Sequence, residues 1–540
     1  MSGLDIPLTP LRFLDRSIEI APAKVAIVDG DRQWTYREFG EAVQRLAKAL
    51  RASGLDNGQR VAYLASNSAE MLIAHFGVPL AGGVLVSINT RLAPAEVEYI
   101  CNHSGAELLI GEADLLEPVL AADVVFDSVK EIFELPSVDG VFVESARWRT
   151  YAEFLTRSTG VADLLYEVAD ENASISINYT SGTTGRPKGV EYTHRGAYLN
   201  ALGEIHHSKF DRNTVYLWTL PMFHCNGWCT TWAVTAAIGR HVCLRAVRAS
   251  PMWSLIDEHA VSHLNGAPTV LTTLANASEA HELSAPLTVT TAGAPPSPTI
   301  ISRIRKLGAE IVHVYGLTET YGPYSVCEPQ PEWAALDDAE QATLMARQGV
   351  GMITNDRLRV VRPNLSNDGE LVDVVDDGSE MGEIVMRGNG VMKGYFADAD
   401  GTADAFRGGW FHSGDLGVMH SDGYVQLLDR AKDVVVSGGE NISTIEVEQA
   451  LLSHPAVIEA AVIGVPDDRW GERPKAFVTV VPGDEVDEAA LLAHVKTRIA
   501  SYKAPREIEV VTGLPKTSTG KIRKHDLRDA EWGSRTLKIN

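Results

Sequence analysis

The stretch "INYTSGTTGRPKGVEYTH", residues 177–194, concentrates glycines and hydroxyl side chains between two apolar segments. The preceding "SISINYT", residues 174–180, alternates like a β-strand, and the following "HRGAYLNALGEIHH" has the composition of a helix. Glycines let backbone N–H groups approach phosphate oxygens, and Ser and Thr hydroxyls supply further hydrogen-bond donors. The pattern predicts a strand, a phosphate-binding loop and a helix, although a plain surface loop remains open on these residues alone.

This loop differs from the nucleoside-triphosphatase pattern G-x-x-x-x-G-K-[ST]. Lys188 is followed by Gly189, so no hydroxyl stands directly after the lysine to hold a magnesium ion. Any protein ligand for such an ion must therefore come from elsewhere in the chain.

Helix-like and strand-like segments alternate on the N-terminal side of this loop. Residues 35–54 have apolar positions at helical spacing, and residues 60–65 read as a short strand. Residues 71–88 are strongly apolar but contain Pro79 and the pair Gly82 and Gly83, which favours a buried helix and strand over a membrane span. Such alternation predicts an α/β fold with parallel sheets, and the change of pattern after "DRAKD", residues 429–433, predicts a second, smaller α/β unit.

Composition excludes several classes of protein. The 540 residues are 45% hydrophobic and 22% charged, as in globular proteins, and the net charge of −23 disfavours nucleic acid and anionic membranes as general partners. Five cysteines form no disulfide framework, and the N-terminus has no secretory pattern. The C-terminal "KIN" is not the peroxisomal tripeptide, so the expected location is cytoplasmic. Both a monomer and a homodimer are compatible with these residues.

Six further motifs follow the loop in order. They are "PMFHCNGW" (221–228), "TAGAPP" (291–296), "VYGLTET" (314–320), "GGWFHSGDLG" (408–417), "DRAKDVVVSGGENISTIEVE" (429–448) and "LPKTSTGKIRK" (514–524). Together with the loop they resemble the adenylate-forming superfamily of acyl-CoA synthetases, luciferases and peptide-synthetase adenylation domains. The resemblance is strongest to medium-chain, aryl and methylmercaptopropionate-type acyl-CoA ligases. It implies a large N-terminal domain (1–428) of mixed α/β subdomains around an AMP site, a hinge (429–433) and a small mobile α/β domain (434–540) that carries the catalytic lysine.

The same resemblance implies the reaction. A carboxylic acid attacks ATP to give an acyl-adenylate and pyrophosphate, and the acyl group then passes to coenzyme A, with Mg²⁺ assisting. A medium-chain, branched or aromatic acid is expected, because Gly316 stands where acetyl-activating relatives carry Trp. Two alternatives remain: an amide ligase that transfers the acyl group to an amine or amino acid, and an adenylate-binding module without turnover.

By resemblance, the ATP site consists of residues from four of the motifs and the loop. They are Thr180, Ser181, Gly182, Thr183, Thr184, Lys188, Gly293, Ala294, Pro295, Tyr315, Gly316, Thr318, Asp415 and Arg430. The carboxylate of Asp415 is expected to accept hydrogen bonds from both ribose hydroxyls. Glu319, with Thr180, is expected to hold the magnesium ion.

The remaining assignments concern catalysis and the second substrate. Lys521 is the expected catalytic lysine, which bridges the carboxylate and the α-phosphate and so stabilises the charge that develops there. His224 is expected beside the reacting groups, and it forms the acyl pocket with Trp228 and Gly316. Lys432 is the expected hinge residue. Coenzyme A is expected to contact Ser437, Gly438, Gly439 and Trp470.

A cluster of His and Cys residues between positions 224 and 243 resembles a zinc site only superficially. Its members are His224, Cys225, Cys229, His241 and Cys243. Their spacing reproduces neither paired C-x-x-C ligands nor an H-x-x-x-H motif, so metal binding by this cluster is not expected.

Overall fold

The computed structural model describes residues 5–137, 142, 145–180, 186–293, 298–363, 370–437, 440–467, 469–481, 486–517 and 520–533. The helices are α1 (Leu11–Ile20), α2 (Tyr36–Ala52), α3 (Ala69–Leu80), α4 (Pro94–Ser104), α5 (Ala113–Ala121), α6 (Tyr151–Thr156), α7 (His194–His207), α8 (Cys225–Trp228), α9 (Thr230–Ala236), α10 (Ala249–His259), α11 (Pro268–Ala275), α12 (Pro298–Lys306), α13 (Asp338–Met345), α14 (Ala399–Ala405), α15 (Thr444–Leu452), α16 (Glu488–Lys496) and α17 (Lys524–Trp532).

The strands alternate with these helices along the chain. They are β1 (Val25–Asp29), β2 (Arg32–Thr35), β3 (Arg60–Leu64), β4 (Val84–Ser87), β5 (Ala106–Glu112), β6 (Glu131–Leu135), β7 (Arg149–Thr150), β8 (Ser174–Thr180), β9 (Lys188–Thr193), β10 (Val215–Leu217), β11 (Arg240–Val242), β12 (His263–Gly266), β13 (Leu287–Thr291), β14 (Ala309–Leu317), β15 (Gly322–Val326), β16 (Val350–Gly351), β17 (Arg359–Val361), β18 (Gly382–Met386), β19 (Gly394–Tyr395), β20 (Phe411–Met419), β21 (Val425–Arg430), β22 (Val435–Ser437), β23 (Glu440–Ile442), β24 (Val457–Asp467), β25 (Gly471–Val480) and β26 (Glu507–Val510).

Within the described residues the strands form four sheets. Two large sheets have the orders β16-β15-β14-β13-β12-β10-β11-β1-β2 and β19-β9-β8-β4-β3-β5-β6-β7. Their central strands run parallel. Antiparallel strands lie at both edges of the first sheet and at the β19-β9 edge of the second, whereas β7 at its other edge is parallel to β6. A third sheet, β17-β18-β20-β21, is antiparallel and follows them in the chain. The predicted α/β fold with parallel sheets and crossover helices is confirmed.

The apolar segment from residue 71 to residue 88 forms the buried helix α3 and the buried strand β4. Every residue of α3 is buried, because the helix packs between α2 and the sheet that contains β3 and β4. A strand buried on both faces is expected to be continuously apolar, as "VLVS" nearly is. None of the helices in the described part of the chain has the length and apolar composition that a membrane-crossing segment requires.

The chain changes sheets at the segment that the sequence singled out as a boundary. Strand β21 ends at Arg430, paired with Asp415 of β20, and β22 begins at Val435 in the fourth sheet. This fourth sheet has the order β23-β22-β25-β24, with β26 beside β25. Helices α15 and α16 pack on it around their own apolar core. These elements form the small C-terminal domain.

The small domain is attached by polar contacts close to the crossing point. The Asp429 carboxylate accepts hydrogen bonds from the backbone N–H and the hydroxyl of Thr444, at the N-terminus of α15. Lys524 lies 2.7 Å from a Glu448 oxygen and donates to the Thr444 hydroxyl at 2.6 Å. Arg528 of α17 forms an ion pair with Asp433. The helix after the predicted catalytic loop is thereby fixed to the segment that joins the domains.

One carboxylate is buried in the large domain without a charged partner. Glu204 on α7 has no exposed surface, and neither of its carboxylate oxygens makes a hydrogen bond within the described residues. The amide of Asn200, one turn earlier, lacks partners in the same way. Burial raises the pKa of Glu204 to about 8, opposed by the nearby Ser208 side chain. The group is therefore mostly protonated at neutral pH.

Candidate active site

The two arms of the glycine-rich loop are β8 and β9, which pair in antiparallel register. Thr180 at the end of β8 lies opposite Lys188 at the start of β9. The Lys188 ammonium lies 4.4 Å from the ring centre of Tyr395 and 3.4 Å from a carboxylate oxygen of Asp398. The register places both predicted ends of the nucleotide loop side by side. The loop residues between them, Ser181, Gly182, Thr183 and Thr184, lie outside the described residues.

Glu319 lies in a one-turn 3₁₀-helix, Thr318–Thr320, between β14 and β15. The Tyr395 hydroxyl donates a hydrogen bond to Glu319 Oε1 at 3.0 Å. Burial raises the pKa of Glu319, while the hydrogen bonds that its carboxylate accepts oppose this shift. The Thr318 hydroxyl accepts a hydrogen bond from Cys225 at 3.6 Å, so this turn also contacts the "PMFHCNGW" segment.

Tyr315, Asp415 and Arg430 meet although they are far apart in the sequence. The Tyr315 hydroxyl donates to Asp415 Oδ2 at 2.8 Å, and Arg430 Nε lies 3.4 Å from Asp415 Oδ1. Asp415 is 4% exposed. The burial of Tyr315, together with the negative charge of Asp415, raises the pKa of Tyr315. Pairing of β20 with β21 holds the arginine opposite the carboxylate. Ser413 fixes the turn, because its hydroxyl accepts from the Asp415 N–H at 3.0 Å.

Gly293 lies just after the carboxyl end of β13, next to the strand that leads to Tyr315. Its φ of +92° belongs to the region that favours glycine, and a Cβ there would meet open space. The glycine is thus needed for the backbone turn rather than for close packing. Its predicted neighbours Ala294 and Pro295 lie outside the described residues.

Lys521 reaches the same cleft from the small domain. Its loop is closed by a hydrogen bond from the Thr517 N–H to the Lys521 carbonyl at 2.7 Å, and Gly520 packs against Thr269 at the start of α11. The Lys521 side chain is exposed to solvent, but many protein atoms lie around its ammonium. This enclosure and the charge of Arg430 lower the pKa of Lys521 to about 8, and Asp415 acts in the opposite direction.

His224 lies close enough to Lys521 to be affected by its charge. Burial, reinforced by the positive charge of Lys521, lowers the pKa of His224 to about 4, so the imidazole is neutral at physiological pH. The residues after it, 225–229, all have φ between +50° and +61° and form a left-handed turn. The Asn226 side-chain oxygen anchors this turn by accepting hydrogen bonds from Ser176 (2.7 Å) and Asn178 (2.8 Å) of β8. The strand that leads to the nucleotide loop therefore also fixes the turn after His224.

The two other residues of the predicted acyl pocket lie beside this turn. Trp228 is 6% exposed and packs on Gly322, where a Cβ would lie only 2.8 Å from the indole. A Cβ on Gly316 would overlap the Gly322 carbonyl oxygen. The missing side chain at position 316 thus points into the β14–β15 hairpin rather than into open space. The expectation that glycine here deepens the pocket needs this correction: close backbone packing explains the glycine.

The predicted hinge and coenzyme A residues lie on the small-domain side. Partial burial lowers the pKa of Lys432, an effect that the charge of Asp433 opposes. Ser437 on β22 pairs with Gly471 of β25, which places it next to Trp470. The Trp470 ring has the guanidinium of Arg469 at 4.8 Å. Gly438 and Gly439 lie outside the described residues.

The His and Cys residues between 224 and 243 do not converge as metal ligands. The His241 ring nitrogens are both engaged, one with Trp218 at 3.2 Å and the other with Thr235 at 3.0 Å. Burial raises the pKa of the Cys225 thiol to about 12, which opposes the thiolate form that metals require. Over the residues that the structure describes, no group of three His, Cys, Asp or Glu side chains could hold a metal ion.

Known proteins resemble this chain in both sequence and structure. A family model described as AMP-binding enzyme matches residues 14–396, and its C-terminal domain model matches residues 446–521. The chain belongs to the AMP-binding enzyme family. It is 40% identical to an acetate–CoA ligase of Humulus lupulus, over 96% of this chain and 94% of the relative, and 39% identical to the peroxisomal trans-cinnamate:CoA ligase of Petunia hybrida, over 97% and 94%. The anthranilate CoA ligase in complex with anthranoyl-AMP has a similar structure, with a TM-score of 0.85, 26% identity and 98% coverage of both chains.

These matches confirm the family and the activity class that the motifs predicted. The chain is an acyl-CoA synthetase, an enzyme that activates carboxylic acids with ATP and transfers them to coenzyme A. The large and small domains correspond to the division of the family into an AMP-binding part and a C-terminal part.

Three residues of this AMP-binding enzyme that touch the site were missed by the sequence reasoning. Tyr395 and Asp398 contact Lys188, and Asn226 holds the turn after His224. Tyr395 is the first of two aromatic residues in "MKGYF", which carries no signal for a partner 76 residues earlier. Asn226 could have been suspected, because asparagine adopts positive φ more readily than most residues.

Proposed function

We propose that this enzyme joins a medium-chain, branched or aromatic carboxylic acid to ATP and then to coenzyme A, with the residues of the cleft in the roles given below. The packing around Gly316 removes the argument from that residue, so the acid class is supported by relatives such as the trans-cinnamate:CoA ligase of Petunia hybrida. The observation that carries the proposal is the convergence of Tyr315, Asp415 and Arg430 with Lys521, which comes from the other domain. This arrangement surrounds one space with a carboxylate suited to ribose and two cations suited to phosphate.

In the first half-reaction, a carboxylate oxygen of the acid attacks the α-phosphorus of ATP. The bond between the α-phosphorus and the oxygen that bridges it to the β-phosphate breaks, and pyrophosphate is released. Lys521 and Arg430 stabilise the negative charge that develops at the α-phosphate, while Asp415 holds the ribose. Lys188 binds the departing pyrophosphate. Neutral His224 lies beside the acyl group, where its imidazole can donate or accept a hydrogen bond without adding a charge.

Glu319 and Thr180 are the residues that would hold Mg²⁺. Their chemistry fits the ion, because Mg²⁺ is commonly bound through one or two carboxylates together with substrate phosphates. The Glu319 carboxylate is partly buried and held by Tyr395, so it is oriented before any ligand binds. When bound, the ion would neutralise charge on the phosphates of ATP.

In the second half-reaction, the thiol of coenzyme A attacks the acyl carbonyl as a thiolate, and AMP leaves. Rotation of the small domain about Lys432 brings Ser437 and Trp470 to the cleft and withdraws Lys521. The relatives reported above are CoA ligases, which favours coenzyme A over an amine as the acceptor. The expected location is cytoplasmic, although the Petunia relative is named as peroxisomal.

Pyrophosphate exchange into ATP over a panel of acids tests the proposal. Acetate, butyrate, 2-methylpropanoate, hexanoate and cinnamate are supplied singly, and the product is then identified with coenzyme A or amino acids as acceptor. Exchange with the longer, branched or aromatic acids and a thioester product support it. Best exchange with acetate would contradict the acid class, and an amide product would contradict the acceptor.

A further inference from the structure

The segment that contains Tyr395 connects two parts of the cleft that are distant in the sequence. The Met392 N–H donates to the Glu319 carbonyl at 2.7 Å, and the Phe396 N–H donates to the Gly189 carbonyl at 2.7 Å. Between them, β19 pairs with β9, so that Tyr395 lies opposite Val190. The backbone of residues 392–396 thus fixes the strand that carries Lys188 relative to the turn that carries Glu319.

The Tyr395 side chain makes the same connection with its own atoms. Its hydroxyl donates to Glu319 Oε1 at 3.0 Å, and the face of its ring lies 4.4 Å from the Lys188 ammonium. A cation over an aromatic ring is attracted by the negative face of the ring. A hydrogen bond to a carboxylate is stronger than one between neutral groups. The Tyr395 hydroxyl therefore orients the Glu319 carboxylate, and the face of the Tyr395 ring orients the Lys188 ammonium.

Asp398 is the second residue that contacts the Lys188 ammonium, in addition to Tyr395. The Asp398 carboxylate is 3.4 Å from Lys188, and its other hydrogen bonds, including one from the Gly401 N–H at 2.9 Å, cap α14. Both partners of this ion pair are well exposed, so the pair is weak in water. The ring of Tyr395, by contrast, stays under the ammonium when phosphate displaces the carboxylate.

We propose that Tyr395 is a positioning residue for adenylation, which sets Lys188 and Glu319 at the mutual distance that the triphosphate of ATP requires. This rests on the roles proposed above for those two residues. Tyr395 does not touch the reacting atoms and has no part in thioester formation. Its loss therefore affects the first half-reaction only.

The Tyr395→Phe and Tyr395→Leu variants separate the two contacts. Tyr395→Phe keeps the ring under Lys188 and removes the hydrogen bond to Glu319, so adenylation kcat falls about tenfold while the KM for the acid is unchanged. Tyr395→Leu removes both contacts and also weakens ATP binding about three-fold, measured by calorimetry in EDTA. Conversion of supplied acyl-adenylate to acyl-CoA is unchanged in both. Tyr151→Phe, which removes a buried phenolic hydroxyl on α6, is the matched control and keeps both half-reactions.

A double-mutant cycle with Glu319→Gln decides between positioning and general destabilisation. Positioning through the carboxylate predicts that Tyr395→Phe causes no further loss when Glu319 is already replaced. The inference would be overturned if the rate losses caused by Tyr395→Phe and Glu319→Gln multiply in the double variant. It would also be overturned if Tyr395→Phe lowers the rates of both half-reactions equally and lowers the Tm. If Glu319→Gln leaves adenylation intact, the proposed role of Glu319 fails. If Glu319→Gln lowers adenylation but Tyr395→Phe does not, only the positioning role fails.

Discussion

Replacing Glu204 by Gln should stabilise the large domain increasingly as the pH rises. An acid whose pKa is raised on folding binds its proton more tightly in the folded state, so stability falls as the pH rises from the unfolded pKa, 4.5, to the folded value of about 8. Each pKa unit corresponds to about 1.4 kcal/mol. The buried carboxyl therefore costs the fold roughly 1 kcal/mol at pH 5.5 and between about 4 and 5 kcal/mol at pH 8.5.

Glutamine has nearly the same shape and does not ionise, so this pH-dependent cost disappears. The buried amide carries its own unpaired hydrogen-bonding groups, but their cost is the same at every pH. The advantage of Glu204→Gln over the parent should then grow by about 3 kcal/mol between pH 5.5 and pH 8.5. Thermal unfolding at half-unit pH steps measures it as a difference in Tm that widens by several degrees.

The exposed Glu19 on α1 provides the matched control. Glu19→Gln makes the same chemical change at an exposed position, so it shows how much of any difference comes from the substitution itself. Acyl-CoA formation at 25 °C should survive in both variants, since neither residue lies in the cleft. Parallel pH profiles for Glu204→Gln and the parent would refute the reasoning, because they would mean that Glu204 is hydrated or paired in solution.

Three further predictions concern the cleft. The kcat/KM for adenylation should fall about tenfold per pH unit above pH 8, because the Lys521 ammonium loses its proton there. Pyrophosphate exchange by Lys521→Arg should show no such fall. If the parent enzyme also keeps its rate above pH 8, the role assigned to Lys521 is contradicted. Gly316→Ala should lower the stability by about 1–3 kcal/mol in urea unfolding, because the new methyl group overlaps the Gly322 carbonyl; an unchanged midpoint would show that the hairpin adapts. Asp415→Asn should raise the KM for ATP at least tenfold with the KM for the acid retained, and unaltered ATP kinetics would rule out ribose binding by this residue.

Local structure could be predicted from the sequence where periodicity and end signals agree. Helix α7 covers the predicted residues 194–207, and α2 ends before Gly54, whose φ of +83° suits the left-handed region. The end of α16 at Lys496 could not be predicted in this way. Its C-terminal signals are weak, because the following residues include no helix-ending glycine.

Contacts between distant segments could not be predicted from the residues alone. The motifs suggested which residues share a site, but not that Tyr315 donates to Asp415 or that Tyr395 joins Glu319 to Lys188. These pairs depend on which distant segments lie side by side in the fold, which no local pattern encodes. The explanation for Gly316 failed for the same reason, since the atom that excludes a side chain belongs to a neighbouring strand.

The left-handed turn at residues 225–229 limits how this enzyme can be re-engineered for other acids. Four of its five residues carry side chains at positive φ, where β-branched residues are strongly disfavoured. A library that randomises this wall of the cleft with Val, Ile or Thr would therefore sample misfolded variants more than new pockets. Codon sets restricted to Gly, Asn, Asp and His at these positions, combined with full variation on neighbouring strands, should give a larger share of active clones.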